Sequence, residues 1–244
     1  MIDHPAVRAP VGAFLPHRGT RVIERPGWYQ LITAGARGAN EVLFSTPDAD
    51  VAAVAAQYEQ PFRWCVWPWI DALEAPLLAH GFEPHEARAM YADTSLPVNA
   101  PADVTIEEIT TPDRLPLYID TLATGWEETP ADRDELAACL PRVLADAARV
   151  HRFYVAWCDG APAGTGGLAY RPEVDAIYLT GGNVLPAYRG RGVYRALIAA
   201  RLADARGVRF ATTQARAVTS APILERLGFA TAVAYRAFLS PRRV

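Results

Sequence analysis

Lysine is absent from this chain of 244 residues, and all 24 residues counted as Lys or Arg are arginine. A phosphate-binding loop of the GxxxxGK[ST] type needs a lysine on its phosphates, so that class of nucleotide site is excluded. The dinucleotide fingerprint GxGxxG is missing as well, because Gly190 and Gly192 are followed by Arg195 at the third position. Cysteine is scarce: Cys65, Cys139 and Cys158 are odd in number, far apart and free of any CxxC spacing. This excludes a disulfide framework and a thiolate metal centre, and buried free thiols in a reducing compartment are expected. No apolar run approaches the roughly 20 residues that span a bilayer. The N-terminal stretch lacks a basic segment followed by an apolar one, so no signal peptide is expected and the location is read as cytoplasmic. A net charge of −3 and a pI near 6.0 leave no basic field for non-specific nucleic-acid binding.

An apolar fraction of 51% and a charged fraction of 21% belong to an ordinary globular protein, long enough for one large domain or two small ones. The arginines are uneven, with 7 before residue 100 and 17 after it, which favours the second half for any anion site. The stretch Leu96–Asp103 carries two prolines and no apolar periodicity. It reads as a linker that divides the chain into 1–97 and 98–244.

Past the linker, the order is mixed. A strand is expected at Val104–Ile109. Two helices follow, one opened by Thr111-Pro112 and one from Pro130 to about Arg149. A hairpin turns at Asp159-Gly160, between His151–Cys158 and Pro162–Tyr170. Then come a strand from Asp175 to Thr180, a helix from Gly192 to Ala205, a strand at Val208–Gln214, a short helix Ser220–Leu227 ended by Gly228, and a last strand at Val233–Leu239. The first half repeats the end of this order: strand Asn40–Ser45, helix Asp48–Tyr58 with Asp48 as its N-cap, strand Phe62–Trp67, helix Asp71–His80, Gly81-Phe82, and a strand near Ala87–Tyr91. Trp64, Trp67 and Trp69 are read as one face of the Phe62–Trp69 segment, either core between the halves or an apolar wall for a ligand that Trp126 faces.

The run Leu185-Pro-Ala-Tyr-Arg-Gly-Arg-Gly-Val-Tyr-Arg-Ala-Leu197 lies between a strand and a helix. A glycine-rich turn there leaves backbone N–H groups pointing outward, and the helix N-terminus adds unpaired donors with a partial positive charge. Together they suit a pyrophosphate, with Arg189 and Arg191 on the rim and Tyr194 packed under the turn.

This segment resembles the coenzyme A-binding motif of the GNAT superfamily of N-acetyltransferases: Arg or Gln, two residues, Gly, one residue, then Gly or Ala. Arg189 and Gly192 fit it, and Tyr194 stands where a small residue is usual. The resemblance extends to Leu227-Gly228-Phe229 and to the element order from Val104 to Leu239. It implies two α/β halves with mixed, mostly antiparallel sheets flanked by helices, packed as an internal pseudo-dimer in a monomer or homodimer. The first half would be a degenerate copy, since Ser45-Thr-Pro-Asp48 replaces the arginines and glycines. It also implies acetyl-CoA as co-substrate, no metal, no nucleic-acid or membrane partner, and a small-molecule amine as acceptor. Asn183, Val184 and Leu185 would lead the pantetheine arm to a turn built from Arg189, Gly190, Arg191, Gly192, Val193 and Tyr194. A backbone N–H near Asn183 and Val184 would polarise the thioester, and the amine would attack directly. A longer acyl donor, or a coenzyme A-binding protein without chemistry, are the alternatives.

The tyrosine that many members use as general acid is replaced by Leu224. Ser220 therefore has two readings, the proton donor to the departing thiolate or the N-cap of the helix that follows. Glu127 is the candidate base, beside Glu128 in the loop joining the first two helices. The same two residues also read as solvated carboxylates. Asp175, His151 and Tyr178 are further candidates.

Overall fold

The computed structural model describes residues 3–34 and 40–241. The first half comprises α1 (Pro5–Arg8), β1 (Arg21–Arg25), β2 (Trp28–Ile32), β3 (Glu41–Phe44), α2 (Val51–Ala55), β4 (Arg63–Val66), α3 (Glu74–Ala79) and β5 (Glu83–Asp93). The second comprises β6 (Val104–Glu108), α4 (Leu115–Trp126), α5 (Pro130–Leu144), β7 (His151–Cys158), β8 (Ala161–Arg171), β9 (Ala176–Val184), α6 (Val193–Ala203), β10 (Phe210–Arg216), α7 (Ser220–Arg226) and β11 (Ala230–Leu239). The fold is a mixed, mostly antiparallel sheet flanked by helices. Among the described strands only β3–β4 and β9–β10 pair in parallel, each joined by a helical crossover.

The described strands form a single sheet in the order β1-β2-β3-β4-β11-β5-β10-β9-β8-β7-β6. The last strand of each half has crossed over. β11 lies between β4 and β5, and β5 lies between β11 and β10. The exchange is symmetric down to single hydrogen bonds. Thr94 N–H donates to Arg209 O at 2.8 Å, and Ser240 N–H donates to Phe62 O at 2.9 Å. Each donor follows a terminal strand, and each acceptor precedes the penultimate strand of the other half. The two Gly-Phe ends also match. Phe82 N–H reaches Leu77 O at 3.1 Å and Phe229 N–H reaches Leu224 O at 3.0 Å, behind Gly81 and Gly228 with φ of +77° and +101°. Such C-terminal caps need a left-handed residue, which glycine adopts without Cβ strain.

Several expectations change. Asp50, not Asp48, caps α2, its Oδ1 accepting from Ala53 N–H at 3.0 Å. α5 ends at Leu144 rather than near Arg149, which takes a φ of +45° that a helix cannot continue through. The hairpin β1–β2 was not expected. β1 is mostly exposed and carries little apolar signal, although Pro26-Gly27 joins the two strands. Trp64 and Trp67, three residues apart, fall on opposite sides of the chain. Trp64 donates to Ser45 Oγ at 3.0 Å and packs on Phe82, whereas Trp67 donates to Leu43 O at 2.7 Å and stacks between Trp69 and Tyr235. Both are fully buried, which makes them core.

Candidate functional site

β9 and β10 start as parallel neighbours and then part. Their pairing runs through Phe210–Ala176, Ala211–Ile177 and Thr212–Tyr178, and goes no further. Beyond it, β9 runs on to Val184 along an edge that β10 has left. β9 is also bulged there. The register with β8 moves from Gly167–Thr180 to Thr165–Asn183, so Gly181 and Gly182 oppose Gly166 alone. Gly181 has a φ of +57°, the left-handed conformation such bulges place on glycine.

Backbone groups alternate along a strand between its two neighbours. Leu185 N–H donates to Ala163 O on β8 at 2.9 Å. Asn183 therefore also turns its N–H to β8, and the N–H groups of Gly182 and Val184 face the parting. The side chain of Asn183 is buried and serves as a tie, with Nδ2 donating to Thr165 Oγ1 at 2.8 Å and to Leu122 O of α4 at 3.4 Å.

At the mouth of the parting, Leu185 leads into a single 3-10 turn at Pro186–Tyr188, then Arg189 and the glycines. Gly190 and Gly192 have φ of +79° and +77°. No side chain caps α6, so its leading N–H groups stay open to a ligand. A Cβ on Gly192 would stand 2.5 Å from Pro101 Cγ of the linker, so this position needs glycine for space as well as for φ. Arg189 is exposed at the rim, with Nε 3.4 Å from Val184 O. Arg191 is already engaged. It pairs with Asp159 of the β7–β8 hairpin at 2.5 Å and approaches Asp103 at 3.5 Å, and this pairing holds Asp159 below the usual carboxylate range. Tyr194, expected under the turn, lies against Gly182 of the β9 bulge, its ring 3.1 Å from where a Cβ there would stand. An open helix N-terminus, two left-handed glycines and an exposed arginine fit a diphosphate.

Below Tyr194 lies a residue that the sequence reading passed over. Arg201 is 1% exposed. It donates to Leu197 O at 2.9 Å, Gly167 O at 3.1 Å and Thr180 O at 3.3 Å, thereby occupying carbonyls at the bulge. Its Nη2 is buried without a partner. The opposite side of the bulge meets Tyr118 of α4, whose hydroxyl would lie 3.5 Å from a Cβ on Gly181. Burial pushes Tyr118 up, against the nearby charge of Arg201. Two aromatics and an arginine at helical spacing look like ordinary helix faces in sequence; only the glycine-rich bulge between them indicates close approach.

The proton-transfer candidates are spread out. Ser220 is the first residue of α7 rather than its cap, and its Oγ accepts from Arg216 N–H at 3.0 Å, which leaves the hydroxyl proton free. Leu224 is fully buried in the core under α6 and α7. Glu127 is exposed at the C-cap of α4, with a φ of +55°. Asp175, also left-handed, accepts from Arg209 N–H at 2.9 Å and closes the turn before β9. His151 opens β7, away from the parting, and burial lowers it. Tyr178 stands at the apex, where its hydroxyl pairs with the backbone of Gln214 and burial pushes it up.

The parted parallel pair thus leads to an uncapped helix N-terminus and a glycine turn at its mouth. Residues 114–229 match the family model of the acetyltransferase (GNAT) family. Solved structures extend the likeness of fold across both halves. A GCN5-related N-acetyltransferase from Kribbella flavida aligns with a TM-score of 0.64 at 14% identity, over 98% of this chain and 97% of that one. A tandem GNAT protein from the clavulanic acid biosynthesis pathway aligns at 0.56 and 16%, over 92% and 84%. A functionally unknown conserved protein from Staphylococcus epidermidis aligns at 0.70 and 13%, over 94% and 96%. No curated protein matches the sequence. Among the described residues no helix is long and apolar enough to cross a membrane, and no cluster of three or more His, Cys, Asp or Glu could hold a metal. All three cysteines are buried and free.

Proposed function

We propose that the protein transfers the acetyl group of acetyl-CoA to the amine of a small molecule, at one site in its second half. The observation that carries this reading is the opening of β9 from β10 beyond Tyr178, with uncapped α6 at its mouth. The diphosphate binds the Gly190–Val193 turn and Arg189. The pantetheine arm lies along Gly182 and Val184 as a substitute for the missing strand pairing. One of those N–H groups holds the thioester oxygen and stabilises the charge that develops there.

The neutral amine adds to the carbonyl carbon, the C–S bond breaks, and sulfur leaves with the electron pair. Ser220 gives its hydroxyl proton to that sulfur. The nitrogen gives its proton to Glu127 at the α4 end of the site, and water carries a proton from Glu127 back to Ser220, so that both groups end as they began. Atoms and charge balance without a metal or a covalent enzyme intermediate.

Among the described residues of the first half we infer no second site. At the place equivalent to the α6 N-terminus, α2 has five residues and its first turn is closed by the Asp50 carboxylate, which would repel a diphosphate. This half supplies the lobe against which the catalytic half exchanges its last strand, so one chain suffices and a monomer is expected. A second reading, a coenzyme A-binding protein without turnover, draws on Leu224 in place of a hydroxyl. The two separate in one experiment, in which acetyl-CoA binding is measured beside thiol release on a panel of small amines. Binding with release supports transfer, and binding without it supports the second reading.

A further inference from the structure

The strand exchange brings residues of both halves onto one side of the sheet. The register links Glu41 to Arg63, Cys65 to Ala237, Tyr235 to Ala87, Gln214 to Ala89, and Thr212 to Tyr178. Residues paired in register, and those two apart on a strand, share a face. Glu41, Arg63, Tyr235, Gln214 and Tyr178 therefore stand on a common face, across a floor made small by Ala87 and Ala89. It is also the face on which α4 packs through Tyr118, beside α1, which lies over β5, β10 and β11.

This face mixes apolar core, where Trp67 and the buried Ala6 and Val7 of α1 pack with Ala87, Ala89 and Tyr235, with polar groups set among it. Glu41 and Arg63 form an ion pair whose side chains keep 14% and 34% exposure. Tyr235 is 5% exposed, and its hydroxyl is buried with no partner. Both polar atoms of the Gln214 side chain, Oε1 and Nε2, are likewise buried and unpartnered. Buried polar groups are nearly always hydrogen-bonded, and leaving one unpaired is destabilising. Three such atoms together, on the β10 segment that has left β9 and on the strand exchanged beside it, indicate a ligand that completes them. Gln214 offers one donor group and one acceptor, and Tyr235 adds a hydroxyl. The complementary group is one that both donates and accepts while bearing no net charge, because Arg63 is already neutralised by Glu41. A carboxamide meets this description.

We propose that Gln214 and Tyr235 form the acceptor subsite, and that the acceptor is a small amine carrying an amide, such as an amino acid amide or the end of a short peptide. This rests on the acetyl-transfer reading above. The role of Gln214 is to fix the amide so that the amine faces the thioester at the parting.

The test compares wild type with Gln214→Leu, similar in volume and without polar atoms, on two acceptors, glycinamide and n-butylamine. Taking the ratio between enzymes cancels the different basicity of the amines. The expected result is a loss of kcat/KM at least about tenfold greater for glycinamide than for n-butylamine. Equal losses on both, or none on either, would overturn the subsite. A second readout stands apart from turnover, the melting temperature with glycinamide alone. Wild type should be stabilised, and Gln214→Leu and Tyr235→Phe should not. If acetyl-CoA binds and no amine is acetylated, the transfer reading fails while the glycinamide shift still decides the subsite. No shift in wild type would overturn it.

Discussion

A methyl group on Gly125 would stand 2.5 Å from both Cγ and Oδ1 of Asn183, so the last turn of α4 rests directly on the carboxamide that this β9 residue extends to α4 and β8. Through this contact and the Asn183–Leu122 hydrogen bond, α4 and the bulged strand hold a single relative position. Gly125→Ala must move one of them. Because the turn that would take the diphosphate lies elsewhere, the expected result is a kcat reduced by about tenfold or more, with acetyl-CoA affinity within about twofold. Steady-state kinetics beside calorimetric titration would check it, and an equal fall in both would show that the contact supports the whole domain instead.

The mouth of the site predicts a contrast between two arginines. Arg189 is exposed and has no carboxylate partner among the described residues, whereas Arg191 is held by Asp159 and Asp103. Arg189→Glu should weaken acetyl-CoA binding by about tenfold or more and leave the melting temperature nearly unchanged. Arg191→Ala should affect stability more than affinity. Gly192→Glu is a poor probe of charge here, since any side chain at that position meets Pro101.

Ser220→Ala removes a hydroxyl that accepts a backbone N–H and still holds its own proton. Without it, kcat should fall by about a hundredfold with acetyl-CoA affinity preserved. A lowered melting temperature with normal kcat would confine Ser220 to a structural role.

Stability should fall on mild acidification. Burial lowers His4, His17, His85 and His151 below their ordinary value of 6.5. For a group whose folded pKa is depressed, the unfolded chain takes up protons first. Stability present above pH 6.5 is therefore lost as pH drops through the lowered folded values. The melting temperature should be flat from pH 8 to 7 and decline below about 6.5. His151→Gln should weaken the decline, and an unchanged profile in that variant would place the effect on the other three.

Much of the second half was legible because its signals are local. Asp159-Gly160 takes left-handed φ of +53° and +74° at a hairpin, as the dipeptide suggests, and Gly190 and Gly192 turn as the strand–helix junction requires. What stayed hidden depends on partners distant in sequence. Nothing in Val233–Leu239 tells whether its neighbour is β10 or β4, because either would bury the same alternating side chains. The exchange in turn sets Tyr235 beside Ala87 and Gln214 beside Ala89, so the polar face could not be read from spacing. Asp48 and Asp50 offer the same cap chemistry two residues apart, and only the path of the chain selects Asp50. The Gly181–Gly182 bulge extends β9 past Thr180, where glycines suggest an end, because Thr165 and Gly164 continue the ladder beyond it.

The central claim is that the parted strands and the open turn bind acetyl-CoA. Thermal denaturation during titration with acetyl-CoA, with desulfo-CoA and NAD alongside, tests it most directly, since a ligand of the native state raises the melting temperature with concentration. The account predicts a rise with acetyl-CoA and with desulfo-CoA and none with NAD. The absence of any shift at millimolar acetyl-CoA would contradict it.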